Sequence, residues 1–185
     1  MLLGSLLRWR HPLWFALIGR GADAGPGLLI TLTYGSCIGN PGPGGWASVL
    51  RGGDREKELV GRHPETTSNR MELTAAIEGL RALRAACRVR LVTDSQYVKK
   101  GITEHLPRWR SNGWRKSNGD PVLNQDLWDQ LDQVSQRHEI RWEWTASHAD
   151  HAIQNRAYDW ALHAAREQSA ALARPCEYQP RPVVL

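Results

Sequence analysis

Two acidic residues in this chain have types and positions that could hold a divalent cation. Glu72 lies in TTSNRMEL, residues 66–73, a pattern that predicts the start of an amphipathic helix. Asp94 lies in LVTDSQY, residues 91–97, where a predicted strand ends and a further helix begins. Carboxylate oxygens are the protein ligands that Mg²⁺ prefers. A helix-borne glutamate and a strand-end aspartate could therefore grip one such ion, provided that the fold brings them together.

Both acidic residues also have a purely structural interpretation. Glu72 could close a capping box with Asn69, three residues earlier, and Asp94 could cap the helix that follows it. The two residues alone do not distinguish metal binding from helix capping, so the choice depends on the surrounding elements.

The composition indicates one globular domain with a basic surplus. The chain has 185 residues, 41% hydrophobic and 23% charged, with a formal net charge of +5. A basic surplus suits a polyanionic partner. Three cysteines, Cys37, Cys87 and Cys176, are odd in number and lack zinc-ligand spacing, which favours a reducing compartment. We therefore expect a cytoplasmic protein, without a membrane span and monomeric.

The two ends of the chain are predicted to lie outside the domain. Residues 1–27 form an N-terminal extension, either disordered or docked on a partner, whose apolar run at 12–18 is too short to span a bilayer. This extension loosely imitates a signal peptide, but Arg20 interrupts the pattern and we expect no export. The domain itself is predicted at 28–170, followed by a flexible, proline-containing tail at 171–185.

Hydrophobic patterns predict an α/β fold. Strands are expected at 28–34, 46–51, 56–61, 88–93 and 139–145. Helices are expected at 67–86, 95–102, 124–137 and 152–169. The Gly/Pro run at 39–45 predicts a turn between the first two strands. Short turns between the first three strands predict an antiparallel meander, and the later strand–helix–strand step adds parallel strands to a mixed sheet with helices on its faces.

A basic segment at 105–116 combines cations with tryptophans and contains no acidic residue. Its cations could pair with phosphates while its indole rings pack on sugars or bases. The alternative is a solvated helical arm whose tryptophans pack on the body of the protein. The residues that would contact a nucleic acid are Trp109, Arg110, Trp114, Arg115 and Lys116.

Six motifs follow one another along the chain: GSCIGNPGPGG, TTSNRMELTAAI, TDSQYV, a WR…GW arm, WEW and a histidine loop before the final helix. In this order they resemble the motifs of type 1 ribonucleases H, and the resemblance is close to the bacterial enzymes. The resemblance covers residues 28–170. It implies a ribonuclease H-like, five-stranded mixed sheet flanked by helices. It also implies endonucleolytic hydrolysis of the RNA strand of RNA–DNA hybrids, with Mg²⁺ as cofactor and Mn²⁺ as a substitute.

The resemblance also implies a set of metal ligands. The family uses four carboxylates around two divalent ions, a pair that activates water and stabilises the leaving oxygen. Glu72 and Asp94 match two of the four. A third lies on the last helix, four residues after an asparagine, and Asp159 keeps this spacing if the preceding loop carries one extra residue. Without that insertion Tyr158 would take the place. We expect Asp159.

Other family residues are matched more directly. His148 resembles a mobile histidine that assists proton transfer or product release. Asn40, Asn69 and Gln96 match residues that read the minor groove and the RNA 2′-hydroxyls. The basic segment resembles the protrusion that grips the DNA strand.

The first carboxylate of the family is replaced. The family has a T-D-G-S-C run at the end of its first strand, and here Tyr34 stands in the place of the aspartate. A phenol is neutral at pH 7 and cannot replace a chelating anion. One such charged group is worth about 10²–10³ in rate. We therefore expect an enzyme with weakened affinity for metal ions and strongly impaired activity.

Two other functions stay open. One is a non-catalytic module that binds RNA–DNA hybrids, and the other is an interaction protein that reuses the fold and docks a partner through residues 2–18. Intact positions at Asn40, Asn69 and Gln96 favour hybrid recognition over the interaction protein. Intact carboxylates at Glu72 and Asp94 favour an enzyme, whereas the tyrosine favours the binding module.

Overall fold

A computed structural model of the chain describes residues 29–146 and 152–173, with side chains described for all of these except 152–154. The predictions for residues 1–27, for His148 and for the tail from 174 onward lie outside the described residues.

Five strands form one mixed sheet in the order β3-β2-β1-β4-β5. Their bounds are β1 (Leu29–Cys37), β2 (Gly42–Gly52), β3 (Arg55–Thr66), β4 (Arg88–Thr93) and β5 (Glu139–Trp144). The first three strands are antiparallel, while β4 runs parallel to β1 and β5 runs parallel to β4. Thr33 of β1 pairs with Thr93 of β4, so the carboxyl ends of these two central strands lie side by side. The predicted sheet is confirmed.

Helices flank this sheet. They are α1 (Ser68–Arg81), α2 (Gln96–Lys100), α3 (Leu106–Ser111), α4 (Gln125–Ser135) and α5 (Ala152–Ala173), and a π-helical segment, Gly101–His105, joins α2 to α3. The first helix ends at Arg81 rather than at the predicted residue 86. Residues 82–86, with the sequence ALRAA, have good helix propensity. In the structure they belong to the connection between α1 and β4, which begins at Arg88.

The Gly/Pro turn is shorter than the sequence predicts. The second strand already begins at Gly42, and Gly45 pairs with Ser36 of β1. A side chain at Gly45 would collide with the backbone of Ala161 and Ala165 in α5. Glycine is therefore needed here for close packing of the helix on the strand, in addition to its role in the turn.

The sheet separates two cores. One face carries a large cluster covered by α1 and α4, in which Trp128, Leu73 and Leu80 are fully buried. The other face carries a smaller cluster beneath α5; its buried members are Leu32, Tyr34, Ala47, Val49, Val92, Ala157 and Ala161. Alanines on the buried side of α5 allow this close approach. None of the helices in the described ranges combines the length and the hydrophobicity that a membrane crossing requires.

Candidate active site

The two predicted acidic ligands lie at the carboxyl ends of the central strands. A Cβ at Gly35 of β1 would collide with the backbone of Met71 and Glu72, so the strand and α1 touch at this point. Asp94 directly follows the end of β4. Burial and, to a smaller extent, the charge of Asp94 raise the pKa of both Glu72 and Tyr34, so the three groups lie close enough to interact electrostatically. We call Glu72 and Asp94 the carboxylate site.

Neither acidic residue caps a helix. Thr67 caps α1, since its hydroxyl accepts a hydrogen bond from the backbone N–H of Arg70 at 3.4 Å. Ser95 caps α2 by accepting from the backbone N–H of Val98 at 3.2 Å. The structural interpretations of Glu72 and Asp94 as capping residues are therefore wrong. Hydroxyl side chains do the capping, as is common at helix N-termini.

Sequence reasoning missed the role of Ser95. This side chain is 5% exposed, and its hydroxyl donates a short hydrogen bond to Oε2 of Glu72. The hydroxyl oxygen of Ser95 also accepts a hydrogen bond from the backbone N–H of Val98 in α2, so Ser95 joins the carboxyl group of Glu72 on α1 to the helix that follows Asp94. A serine between a strand-end aspartate and a helix is a capping signal in the sequence, but the bond to Glu72 depends on tertiary packing.

The environment of Glu72 makes it a weak acid. Burial raises its pKa from the ordinary value of 4.5 to about 7; the bond from Ser95 opposes this rise and the charge of Asp94 adds to it. This carboxyl group therefore keeps its proton to a higher pH than an ordinary glutamate does. A metal ion bound there would have to displace that proton, because the ligand for a hard cation is the carboxylate.

Tyr34 occupies the space between the sheet and α5. Its side chain is 2% exposed and belongs to the cluster beneath that helix. Burial, followed by the charge of Asp94, raises the pKa of the phenol well above its ordinary value of 10, so the group is neutral. Its hydroxyl has no hydrogen-bond partner among the described residues. Tyr34 thus contributes aromatic volume and no charge to the cluster beneath α5.

The donors among the described residues do not fit a pair of divalent ions. Within residues 29–146 and 152–173, no group of three His, Cys, Asp or Glu side chains is placed to hold a metal ion. Asp159, the expected third ligand, is exposed on α5. Mg²⁺ demands near-octahedral oxygen ligands and dehydrates reluctantly. Glu72 and Asp94 alone do not meet that demand, so no reaction step through a metal ion follows from this geometry.

The predicted readers of the RNA strand lie around the carboxylate site. Oδ1 of Asn40 accepts a hydrogen bond from the backbone N–H of Ser68 at 3.1 Å, which joins the turn after β1 to the start of α1. Asn69 is the next residue of that helix, and Gln96 begins α2 two residues after Asp94. All three predicted readers are exposed. We call Asn40, Asn69 and Gln96 the contact surface.

The tryptophans of the basic segment are anchors. Trp109 is half-buried, and its ring lies 5.3 Å from that of Trp128 in an edge-to-face arrangement. Trp114 is also half-buried, packs against the same core, and donates its backbone N–H to the carbonyl of Trp109 at 2.7 Å. These contacts favour packing on the body of the protein over stacking on bases. The role of both residues in substrate binding stays a prediction.

The arginines of this segment face outward. Arg110 is 55% exposed and forms an ion pair with Asp132 at 3.3 Å. Arg115 is exposed and donates to the carbonyl of Gly119 at 2.8 Å, while Lys116 is half-buried. We call this basic segment, residues 105–116, the protrusion. Its packed tryptophans hold a row of cations that can meet phosphates.

Comparison with known proteins places this architecture in a family. The family model for RNase H matches residues 28–168. The ribonuclease H of Solibacter usitatus (strain Ellin6076) is 56% identical over 138 residues, which cover 75% of this chain and 94% of that protein. Among solved structures, LC9-RNase H1, a type 1 RNase H with the type 2 active-site motif, matches with a TM-score of 0.70 and 29% identity, over 82% of this chain and 83% of that one.

A more distant structure shares the fold. LC11-RNase H1, solved in complex with an RNA/DNA hybrid, matches with a TM-score of 0.58 at 18% identity, over 78% of this chain and 99% of that one. Together, the family match over most of the chain, the high identity to a bacterial relative and the sheet topology agree with the motifs in the sequence. The chain belongs to the ribonuclease H family, a family of endoribonucleases, as a type 1 member.

Proposed function

We propose that this chain binds RNA–DNA hybrids and that its endonucleolytic hydrolysis of the RNA strand is strongly impaired. The observation that carries the proposal is the contrast at the ends of β1 and β4. Tyr34 is 2% exposed and neutral beside Asp94, while the polar residues of the contact surface are exposed next to it.

Recognition of a hybrid is supported by the chemistry of the contact surface and the protrusion. Amide side chains can both donate to and accept from the 2′-hydroxyl, which is the group that distinguishes RNA from DNA. Outward-facing cations on the protrusion supply the phosphate contacts that dominate affinity. The hybrid bound by LC11-RNase H1, which has the same fold, is consistent with this substrate class.

Impaired hydrolysis is supported by the charge at the carboxylate site. The family generally uses divalent metal ions, and we propose Mg²⁺, with Mn²⁺ as a substitute, at weakened affinity. Glu72 and Asp94 would be the residues that contact the ion, and His148 would assist proton transfer. Removing one preorganised charged group lowers catalytic rate by about 10²–10³.

A second candidate function is a hybrid-binding module without catalysis. Packing of the Tyr34 ring in the cluster beneath α5 favours it, since that ring is held by the core rather than placed to react. We also propose that the chain acts in the cytoplasm as a monomer. Cys37 and Cys87 are both free thiols, as expected in a reducing compartment.

Hybrid binding is tested by measuring affinity for an RNA–DNA hybrid and for duplex DNA of the same sequence, at one salt concentration and in EDTA. We expect tighter binding of the hybrid and loss of that preference in Asn69→Ala/Gln96→Ala. A matched control is Gln133→Ala, which removes an exposed amide from α4. Equal affinity for the two duplexes would contradict the proposal.

Impaired hydrolysis is tested on the same hybrid with Mg²⁺ or Mn²⁺. The ribonuclease H of Solibacter usitatus serves as the positive control. We expect this chain to cleave at least about 10²-fold more slowly than that relative at saturating hybrid. Cleavage within about tenfold of the relative would show that Tyr34 does not disable the site. No cleavage at all, together with selective binding, would identify the binding module.

A further inference from the structure

We propose that Tyr158, and not Asp159, is the residue of α5 that faces the carboxylate site, so that tyrosines stand in the places of two metal-binding carboxylates. The inference rests on the proposed location of the metal site but not on hybrid binding. It implies that restoring one carboxylate at Tyr34 would leave the site incomplete.

The buried side of α5 fixes where each of its residues points. Four alanines of this helix are buried, Ala157, Ala161, Ala164 and Ala165. Successive residues of an α-helix are rotated by roughly 100°, so these four positions form one stripe along the sheet. On the same rotation, Asp159 lies nearly opposite the centre of that stripe, which agrees with its exposure to solvent. Its side chain therefore points away from the ends of β1 and β4.

Ion pairs show which strands lie beside each flank of α5. Arg156 pairs with Glu56 and Glu58, and Glu167 pairs with Arg62, all three partners being residues of β3. Arg156 and Glu167 are nearly in line along the helix, so the flank that they share faces β3.

Tyr158 lies on the other flank of the stripe. Because β1 separates β3 and β2 from β4 in the sheet, that flank faces toward β4, the strand that leads into Asp94. In agreement, Tyr158 is half-buried and packs against the cluster that contains Tyr34 and Val92.

Two tyrosines in one cluster change the chemistry of the site as a unit. Phenols carry no charge at neutral pH, so among the described residues Glu72 and Asp94 would supply the negative charge that faces the four positive charges of two divalent ions. Tyr34 and Tyr158 instead add aromatic volume to the cluster beneath α5. The two tyrosines therefore place packed aromatic rings where two carboxylates would otherwise supply negative charge.

Mn²⁺ binding, followed by electron paramagnetic resonance of the free ion, tests the assignment without relying on activity. The proteins compared are the parent, Tyr158→Asp, Asp159→Asn, Tyr34→Asp, and Tyr34→Asp/Tyr158→Asp. We expect the double variant to bind Mn²⁺ at least about tenfold more tightly than Tyr34→Asp, because ligand charge sets affinity for such ions. Asp159→Asn, the matched control from the adjacent position, should leave the affinity of the parent unchanged.

Folding of each variant is checked by circular dichroism, since an aspartate in the cluster removes packing. If proteins with Tyr34→Asp do not fold, Tyr158→Asp and Asp159→Asn in the parent still decide the question: the first should tighten Mn²⁺ binding and the second should not change it. Weaker Mn²⁺ binding by Asp159→Asn, or no gain from Tyr158→Asp, would overturn the inference. Hybrid affinity in EDTA tests the proposed function separately, so the two failures are distinguishable.

Discussion

The contact surface and the carboxylate site adjoin each other but differ in how the fold supports them. Asn40, Asn69 and Gln96 are exposed side chains on turns and on the first residues of helices. Glu72 is half-buried and hydrogen-bonded to Ser95, and Tyr34 is buried beneath α5. The residues that we propose to recognise a hybrid therefore depend on local backbone, whereas Glu72 and Tyr34 depend on packing between the sheet and the helices.

This difference explains how one property can change while the other is kept. Recognition of RNA needs exposed hydrogen-bonding groups and cations, which a substitution in the core leaves in place. Hydrolysis needs preorganised charge in a partly dry site, where each anion also destabilises the fold. Replacing a buried carboxylate by a tyrosine removes catalytic charge and adds apolar packing. Stability and activity are thus expected to move in opposite directions at the centre but not at the contact surface.

The largest effect that would sharpen this comparison is a pH dependence of stability that originates in Glu72. Its folded pKa of about 7 lies above the ordinary 4.5, so the folded state binds more protons between these values. Stability from this group is present below about pH 4.5 and is lost as the pH rises through about 7, by up to about 3 kcal/mol. Urea unfolding of the parent and of Glu72→Gln across this range should show the loss in the parent alone.

The control for this measurement is Glu78→Gln, which lies on the same helix and pairs with Arg81 on its outer side. His138 contributes in the opposite direction, because burial and then Arg137 lower its pKa and the unfolded state binds its proton more readily. The comparison is therefore between variants rather than between absolute curves. Equal slopes in the parent and in Glu72→Gln would show that Glu72 is not buried as described.

A smaller effect is expected on the salt dependence of nucleic-acid affinity when cations of the protrusion are removed. If the salt dependence did not change, the protrusion would not be part of the nucleic-acid contact. Replacing Arg115 and Lys116 by alanine should lower the slope of log affinity against log salt by about two, since each phosphate contact contributes roughly one unit. The change should be the same for hybrid and duplex DNA. A matched control is Arg51→Ala/Arg166→Ala, two exposed cations, of which Arg51 pairs with Ile30 at the opposite end of β1. A larger loss of slope in the control would assign the phosphate contacts elsewhere.

Much of the architecture could be predicted because the sequence is locally consistent. Alternating strands, glycine-rich turns and the amphipathic stripe of α1 all favour the same sheet. The proximity of Glu72 to Asp94 also requires the packing of α1 on β1 at Gly35. Other features depend on tertiary contacts. The glycine at Gly45 is needed because α5 packs closely on β2, and Trp109 is half-buried because its ring packs on that of Trp128.

The least predictable feature was the environment of the tyrosines. Sequence spacing favours Asp159 as a ligand, yet the alanine stripe of α5 already indicates that this residue lies on the outer face. Combining the spacing with the period of 3.6 residues per turn would have favoured Tyr158, the residue that we propose for this place. The bond between Ser95 and Glu72 joins residues 23 positions apart and has no local signal.

The smallest effect is expected from removing the hydroxyl of Tyr34. This oxygen is buried without a hydrogen-bond partner among the described residues, and a buried polar group of this kind costs about 1–3 kcal/mol. Tyr34→Phe keeps the ring in the cluster beneath α5 and removes that cost, so we expect the free energy of unfolding to rise by about 1 kcal/mol. Urea denaturation measures the change, and Tyr97→Phe is the control, because the hydroxyl of Tyr97 accepts hydrogen bonds from Asn124 and Trp128 and its loss should destabilise. Hybrid affinity of Tyr34→Phe should stay that of the parent, since no residue of the contact surface is altered. Destabilisation by Tyr34→Phe would mean that the phenol is hydrogen-bonded at the carboxylate site, and the centre would then be a polar site rather than part of the core.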